Sequence, residues 1–243
     1  MNDCEADYPR GRCPIRTFGP EGDPGAPVVL FFPDAFGPRD ASFAVAQELA
    51  DEGWRVAMPD NFYEFLPYER LDPGAIFEAG PGDNPVMEMF SSITQEKIDE
   101  DVAALISFAN DHFGDTVPLA ATGYCMGARY ALTAACAEPR VRFAAAIHGS
   151  TLAPVDLDGP HRRFGSAKGR LYVGVSGIDP FYDAAEHGRL AEALRAADTD
   201  HMIETYHGVA HGFVFSDLPV YDRAASKKHM RRLKENLSEV FAS

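Results

Sequence analysis

The sequence predicts an α/β protein with a mostly parallel central sheet and helices on both faces. Three observations lead there. Short apolar runs alternate along the chain with longer stretches of helical periodicity. The run Val28-Val29-Leu30-Phe31-Phe32 is apolar at every position, as a strand buried on both faces of a parallel sheet requires. Gly123-Tyr124-Cys125-Met126-Gly127 falls between an apolar run and a helical pattern, the context of a sharp strand-to-helix turn.

The elements follow in order. Residues 15–18 read as an edge strand, and Gly19-Pro20-Glu21-Gly22-Asp23-Pro24-Gly25 as a chain reversal. After the strand over 28–32 comes a helix over 42–52 that stops at Gly53, then a strand over 54–58 ending at Pro59-Asp60. From 61 to 90 the pattern breaks into prolines, glycines and aromatics, among them Phe62, Tyr63, Phe65, Tyr68 and Phe77. So long an excursion, bounded at about 61–91, is expected to be a lid or binding loop. Helical periodicity returns over 92–113, with Ile98, Val102, Leu105, Ile106 and Ala109 on one face. A strand over 117–121 leads into the glycine-flanked pentapeptide, and a helix over 128–137 leaves it. Strands over 143–147, 171–175 and 202–206, with helices over 184–197 and 221–241, complete an alternation that implies right-handed crossovers. No repeat, low-complexity tract or linker divides residues 1–243, so a single domain is expected.

Composition removes several classes of function. The 243 residues carry a formal net charge of -15, which disfavours nucleic acid and anionic membrane surfaces, because both need clustered lysine and arginine. Residues 1–10 hold acids and no apolar run, so no secretory signal peptide is expected, nor is a spanning helix, and the expected location is cytoplasmic. The four cysteines form no C-x-x-C pair, and Cys4, Cys13 and Cys136 read as spectators. No G-x-G-x-x-G opens a helix after a strand, so no dinucleotide is expected. His207 and His211 stand four apart, but in a turn and without the glutamate of a H-E-x-x-H site, so neither metal nor other cofactor is expected.

The chemistry is expected at the carboxyl ends of the strands. The pentapeptide has the spacing of a nucleophile elbow, in which the residues two before and two after the nucleophile must be small. Gly123 and Gly127 meet that demand around Cys125, and a helix N-terminus favours thiolate and oxyanion. From the pentapeptide alone a buried glycine-flanked cysteine is an equal alternative. Asp179 follows the strand over 171–175, and His211 the strand over 202–206. The order nucleophile, acid, histidine is that of an α/β-hydrolase. Asp183, the competitor for the acid role, reads better as a helix N-cap.

Together with Asp34-Ala35-Phe36-Gly37, Gly177-Ile178-Asp179-Pro180-Phe181 and Ala210-His211-Gly212-Phe213, the elbow resembles the dienelactone hydrolase family, α/β-hydrolases with a cysteine nucleophile. The resemblance spans nearly the whole chain. It implies a Cys125-His211-Asp179 triad, an oxyanion hole from the N–H groups of Ala35 and Met126, no cofactor, and a small-molecule ester or lactone as substrate. It says nothing of oligomeric state. Two departures separate the chain from members that act on dienelactones. They have glutamate at the position of Asp34, and arginine four residues after the catalytic histidine, where this chain has Phe215. An apolar ring cannot pair with a carboxylate, so a substrate less dependent on an anionic group is expected. Arg70, the one arginine between 61 and 91, aligns with no family ligand. Asp34, Phe36, Tyr124, His148, Phe213 and Phe215 are candidates for modulating Cys125 or lining the pocket, with core packing as the alternative for Tyr124 and a satisfied histidine for His148. A thiol-reactive sensor on a hydrolase scaffold and an acyl transferase stay open beside the hydrolase.

Overall fold

The computed structural model describes residues 1–20, 25–68, 72–79 and 85–242, without the side chains of 77–79 and 85. Arg70, part of the 19–25 reversal and the Phe77 side chain lie outside these.

Among the described residues eight strands form one sheet: β1 (Asn2–Tyr8), β2 (Gly11–Phe18), β3 (Val28–Phe32), β4 (Arg55–Pro59), β5 (Leu119–Tyr124), β6 (Val141–Ile147), β7 (Arg170–Ile178) and β8 (His201–Ala210), in the order β1-β2-β4-β3-β5-β6-β7-β8. From β4 to β8 every neighbour pair is parallel, while β2 is antiparallel to both β1 and β4. The buried-on-both-faces reading of residues 28–32 matches β3 residue for residue, since it lies between β4 and β5 with every side chain buried. β1 is the strand the sequence pattern conceals. Its Cys4, Ala6 and Tyr8 alternate with Asp3, Glu5 and Asp7, so its apolar face is narrow and its acids face solvent. Cross-strand arginines on β2 answer those acids, Arg12 Nη1 with Asp7 at 2.6 Å and Arg16 with Asp3.

Helices cover both faces of the sheet. On one face α4 (Gln95–Phe113), α5 (Met126–Ala137) and α6 (Ala184–Ala196) bury Val102, Leu105, Leu132, Leu190 and Leu194. On the other, α1 (Asp40–Asp51) and α7 (Arg223–Phe241) bury Leu49, Met230, Leu233 and Leu237. Each large side chain so buried contributes on the order of 1.5–3 kcal/mol. The ends follow capping chemistry. Asp183 accepts the N–H of Glu186 at 2.7 Å, which makes it the N-cap of α6, and Thr94 and Asp222 cap α4 and α7 in the same way. Gly53, at φ +93, takes the left-handed conformation just beyond α1 that glycine adopts without steric cost. The 61–91 excursion is more ordered than its composition implies. It holds a 3-10 turn (Tyr63–Phe65) and two short helices, α2 (Pro73–Ala79) and α3 (Pro85–Ser91), each opened by a proline, whose missing N–H costs nothing at a first helical position. Among the described residues no helix is long and apolar enough to cross a membrane.

Helix α7 places His229 under the elbow strand, where its Nε2 lies 3.0 Å from the Tyr124 hydroxyl. Complete burial pushes the His229 pKa down to about 3, from an ordinary 6.5. Between those values the unfolded chain binds a proton that the folded chain refuses, so stability falls as pH drops. His229→Gln keeps a polar partner for Tyr124 and removes the titration. The unfolding free energy of wild type relative to this variant should fall by about 1.4 kcal/mol per pH unit between about pH 5.5 and about 4.5 in urea titrations. Parallel pH dependences for the two proteins would contradict it.

Candidate active site

The site is assembled by a turn with no room for side chains. A Cβ on Gly123 would lie 1.9 Å from the carbonyl oxygen of Gly127, and a Cβ on Gly127 2.3 Å from that of Phe32 and 2.4 Å from that of Pro33. The two glycines therefore let β5 turn into α5 and let the loop after β3 press against the turn. Cys125, at φ 54 and ψ -119, occupies a conformation costly for a non-glycine residue. It is held there by its N–H donating to Ile147 O at 3.1 Å and its carbonyl accepting from Ala128 N at 3.2 Å. Met126 opens α5, where a helix leaves its first N–H groups without intrahelical acceptors. Across the contact, Asp34 closes a turn through Gly37 N–H on its carbonyl at 3.0 Å and Phe36 N–H on Oδ1 at 3.0 Å. Ala35 N–H takes part in neither bond.

Irregularity at the end of the sheet brings Asp179 and His211 together. The β7–β8 register shifts between Ser176 and Ile178, so that Ile178 pairs with Ala210 and the next residue on each strand emerges at the same height. Gly177 allows this, for its Cβ would lie 2.7 Å from Gly208 N. His211 Nδ1 then sits 3.0 and 2.9 Å from the two oxygens of Asp179, and Phe181 N–H steadies that carboxylate at 2.9 Å. Nε2, on the other side of the ring, is buried and finds no hydrogen-bond partner among the described residues. Burial opposes charge on the imidazole, but Cys125 and Asp179 outweigh it and push the His211 pKa up to about 10.

Cys125 and His211 open into a cleft of about 360 Å³. Its walls include Ile76 from α2, Val86, Met87 and Phe90 from α3, and Phe181 and Leu218. No lysine or arginine lines it among the described residues. Of the candidates for modulating Cys125 or lining the pocket, Asp34, Phe36 and His148 lie on the wall, as does Ala35, whereas Tyr124, Phe213 and Phe215 do not. Those three rings are fully buried behind the site, where Tyr124 packs edge-on to Phe215 at 5.1 Å. They are packing residues because β5 turns Tyr124 away from Cys125 and the chain after His211 folds back into the core.

Sequence reasoning did not single out Arg39. Its guanidinium grips Asp34 at both ends, Nη1 to Oδ1 at 2.6 Å and Nη2 to Oδ2 at 3.0 Å. It also reaches Asp217 through Nε at 2.6 Å and lies 4.8 Å above the Phe215 ring. Arg39 thus ties the loop that carries Ala35 to the loop that follows His211. Burial pushes the Asp34 carboxyl above its usual range, with Arg39 pulling the other way. An arginine in an irregular loop carries no periodic signal, and only pairing across 178 residues reveals it. Ser150 was missed as well, while the cleft residues of α2 and α3 lie within the 61–91 excursion expected to be a lid or binding loop.

This architecture is the α/β-hydrolase fold. A profile of the dienelactone hydrolase family matches residues 15–241, and the chain belongs to that family. A Salmonella typhi protein provisionally named a carboxymethylenebutenolidase is 25% identical over 221 residues, covering 89% of this chain and 78% of its own. Among solved structures, a Klebsiella pneumoniae protein provisionally assigned as a dienelactone hydrolase superposes with a TM-score of 0.82 at 19% identity, covering 98% of this chain and 97% of its own. A dienelactone hydrolase-like promiscuous phosphotriesterase from metagenomic libraries gives 0.76 at 20% identity over 98% of both chains.

Removing one partner of a buried ion pair strands the other charge. Arg39→Ala, which leaves Asp34 buried and unpaired, should lower the unfolding free energy by about 3 kcal/mol at neutral pH in urea titrations. The double variant Arg39→Leu/Asp34→Leu should recover most of that loss; a loss below about 1 kcal/mol for the single variant would mean that solvent replaces the pair.

Proposed function

We propose that this chain hydrolyses neutral carboxylic esters or lactones through a thioester on Cys125. The observation that carries the reading is the Asp179–His211 pair, with Nδ1 2.9 and 3.0 Å from the two carboxylate oxygens, on the same cleft as Cys125, which lies close enough to raise the His211 pKa. The raised His211 pKa fits a protonated imidazole paired with Cys125 before substrate binds.

In the proposed reaction the Cys125 thiolate attacks the carbonyl carbon and the carbonyl oxygen takes the negative charge. The N–H groups of Ala35 and Met126 receive that oxyanion, each contributing about 3 kcal/mol in a site that excludes water. Collapse breaks the carbon–oxygen bond, and His211 gives its proton to the departing alkoxide. In a lactone the alcohol stays tethered to the acyl group. Neutral His211 then takes a proton from water, whose oxygen attacks the thioester and releases the acid. Asp179 holds the imidazole in the tautomer that both steps use. The relatives' carboxymethylenebutenolidase name agrees with this reaction class.

The wall of the cleft supports neutral substrates. It is mostly carbon surface, with Asp34, His148, Ser150 and His211 as its polar groups and no lysine or arginine among the described residues, and Arg39 points its charge at Asp34 and Asp217. In this reading α2 and α3 form the specificity lid, and residues 1–243 act as one cytoplasmic domain. An acyl transferase would instead yield new esters when alcohol is added, and a thiol sensor would be modified without turnover.

A neutral alkyl ester should be hydrolysed at least ~10-fold faster, by kcat/KM, than its carboxylated analogue, because the described residues of the cleft wall offer an anion Asp34 and no lysine or arginine. A preference for the anion would overturn the neutral-substrate reading. His211→Ala should abolish multiple turnover. With wild type, the alkaline limb of kcat/KM should lie near pH 10, since the imidazolium that protonates the leaving group persists to about 10. A limb near an ordinary histidine pKa would show that the pair is not formed in the free enzyme.

A further inference from the structure

Two residues of the cleft wall hold three buried polar atoms that find no hydrogen-bond partner among the described residues. Neither ring nitrogen of His148 finds a hydrogen-bond partner outside its own residue, and the Ser150 hydroxyl finds none. Both residues line the cleft that contains Cys125 and His211, and both are buried. A buried polar atom without a partner costs on the order of 1–3 kcal/mol. Folded proteins keep few of them, and those they keep call for an explanation.

The backbone offers an independent observation. His148 at φ 37 and Thr151 at φ 57 hold left-handed conformations without being glycine, and strain of this kind gathers where a ligand must be met. Between them, Gly149 lies so close to α5 that a Cβ would stand 2.8 Å from Ala128 Cβ and 2.9 Å from the Leu152 methyls. The turn after β6 is therefore pressed into place with His148 and Ser150 at the cleft. The His148 ring is wedged edge-on to His211 at 5.0 Å and to Phe213 at 5.5 Å. Burial, with the nearby His211 and His229, holds the His148 pKa well below 6.5. A neutral imidazole offers one donor and one acceptor, and a serine hydroxyl offers both.

Groups that donate and accept on one side and are uncharged on the other match a hydroxyl. A methyl group would leave all three atoms stranded, and a carboxylate would face Asp34 across the same cleft. We propose that His148 and Ser150 form a polar subsite for a neutral hydroxyl group, which makes the substrate a hydroxylated ester or lactone. The inference rests on the hydrolase reading above and names the substrate class of that site.

The test uses matched esters: a plain alkyl ester, the same ester with a hydroxyl on the acyl chain, and the same ester with a hydroxyl on the alcohol. Each is assayed with wild type, His148→Phe and Ser150→Ala. The readout is the ratio of kcat/KM for the hydroxylated to the plain ester within each protein, so a general loss of activity cancels. Wild type should favour one hydroxylated ester by at least ~10-fold, the favoured isomer showing which side of the ester the subsite reads. His148→Phe preserves a ring among the aromatics and should bring that ratio to about 1; Ser150→Ala should lower it. Turnover of the plain ester with no hydroxylated preference, or a preference that survives both substitutions, overturns the subsite. Failure of wild type to turn over any ester sinks the hydrolase reading instead. The subsite is then judged by protection of Cys125 from iodoacetamide, using a hydroxy ketone and its deoxy parent. Stronger protection by the hydroxy ketone that is lost in His148→Phe supports it, and equal protection overturns it.

Discussion

The close approach at Gly127 is the constraint on which the rest of the site depends. Carbonyl oxygens of Phe32 and Pro33 occupy the space where any side chain would begin, so the loop after β3 touches the turn after β5 backbone to backbone. That contact brings the loop carrying Ala35 against the turn that leads from Cys125 into Met126. It also explains the strained Cys125 backbone, which the surrounding hydrogen bonds to Ile147 and Ala128 hold in place. The same logic recurs at Gly177, where a missing side chain lets β7 and β8 shift register and deliver Asp179 and His211 together.

Electrostatics divide the site into two compartments. On one side His211 lies between Asp179 and Cys125, and its raised pKa records the attraction of both. On the other, Arg39 is consumed by Asp34 and Asp217 and lies over Phe215. Phe215 stands where an arginine serves dienelactone-acting relatives in the resemblance drawn from sequence, and its ring, buried behind the site, supports a guanidinium that pairs internally. The charge is retained in the neighbourhood but turned from the substrate toward the scaffold. Between the compartments His148 stays neutral because burial and two neighbouring histidines oppose its charge.

Most of the sheet was legible because burial on both faces writes itself as unbroken apolar runs, as in β3. Asp179 and His211 were legible because they stand just past strands whose ends are apolar. β1 was not, since its alternation of small apolar residues with acids resembles a solvated terminus. Arg39 and Ser150 were invisible because both stand in irregular loops, where no spacing encodes the contacts a side chain makes. Phe213 and Phe215 show the opposite error, and Tyr124 takes the packing role that the sequence left open beside the pocket. Proximity in sequence to Cys125 and His211 suggested the pocket, but strand alternation and the fold-back after β8 send those rings inward. The excursion showed its length but not its helices, for stretches as short as α2 and α3 carry too few turns for a periodic signal.

The central claim is a covalent acyl group on the sulfur of Cys125, and rapid-quench intact-mass measurement tests it most directly. Wild type mixed with a slowly hydrolysed neutral ester should gain the mass of the acyl group within the first turnover. Peptide mapping should place it on Cys125, and the mass should return to that of the free enzyme as substrate is exhausted. Ester hydrolysis at an undiminished rate by Cys125→Ala, or turnover with no acyl mass on Cys125 in an enzyme whose burst shows an accumulated intermediate, would contradict the account.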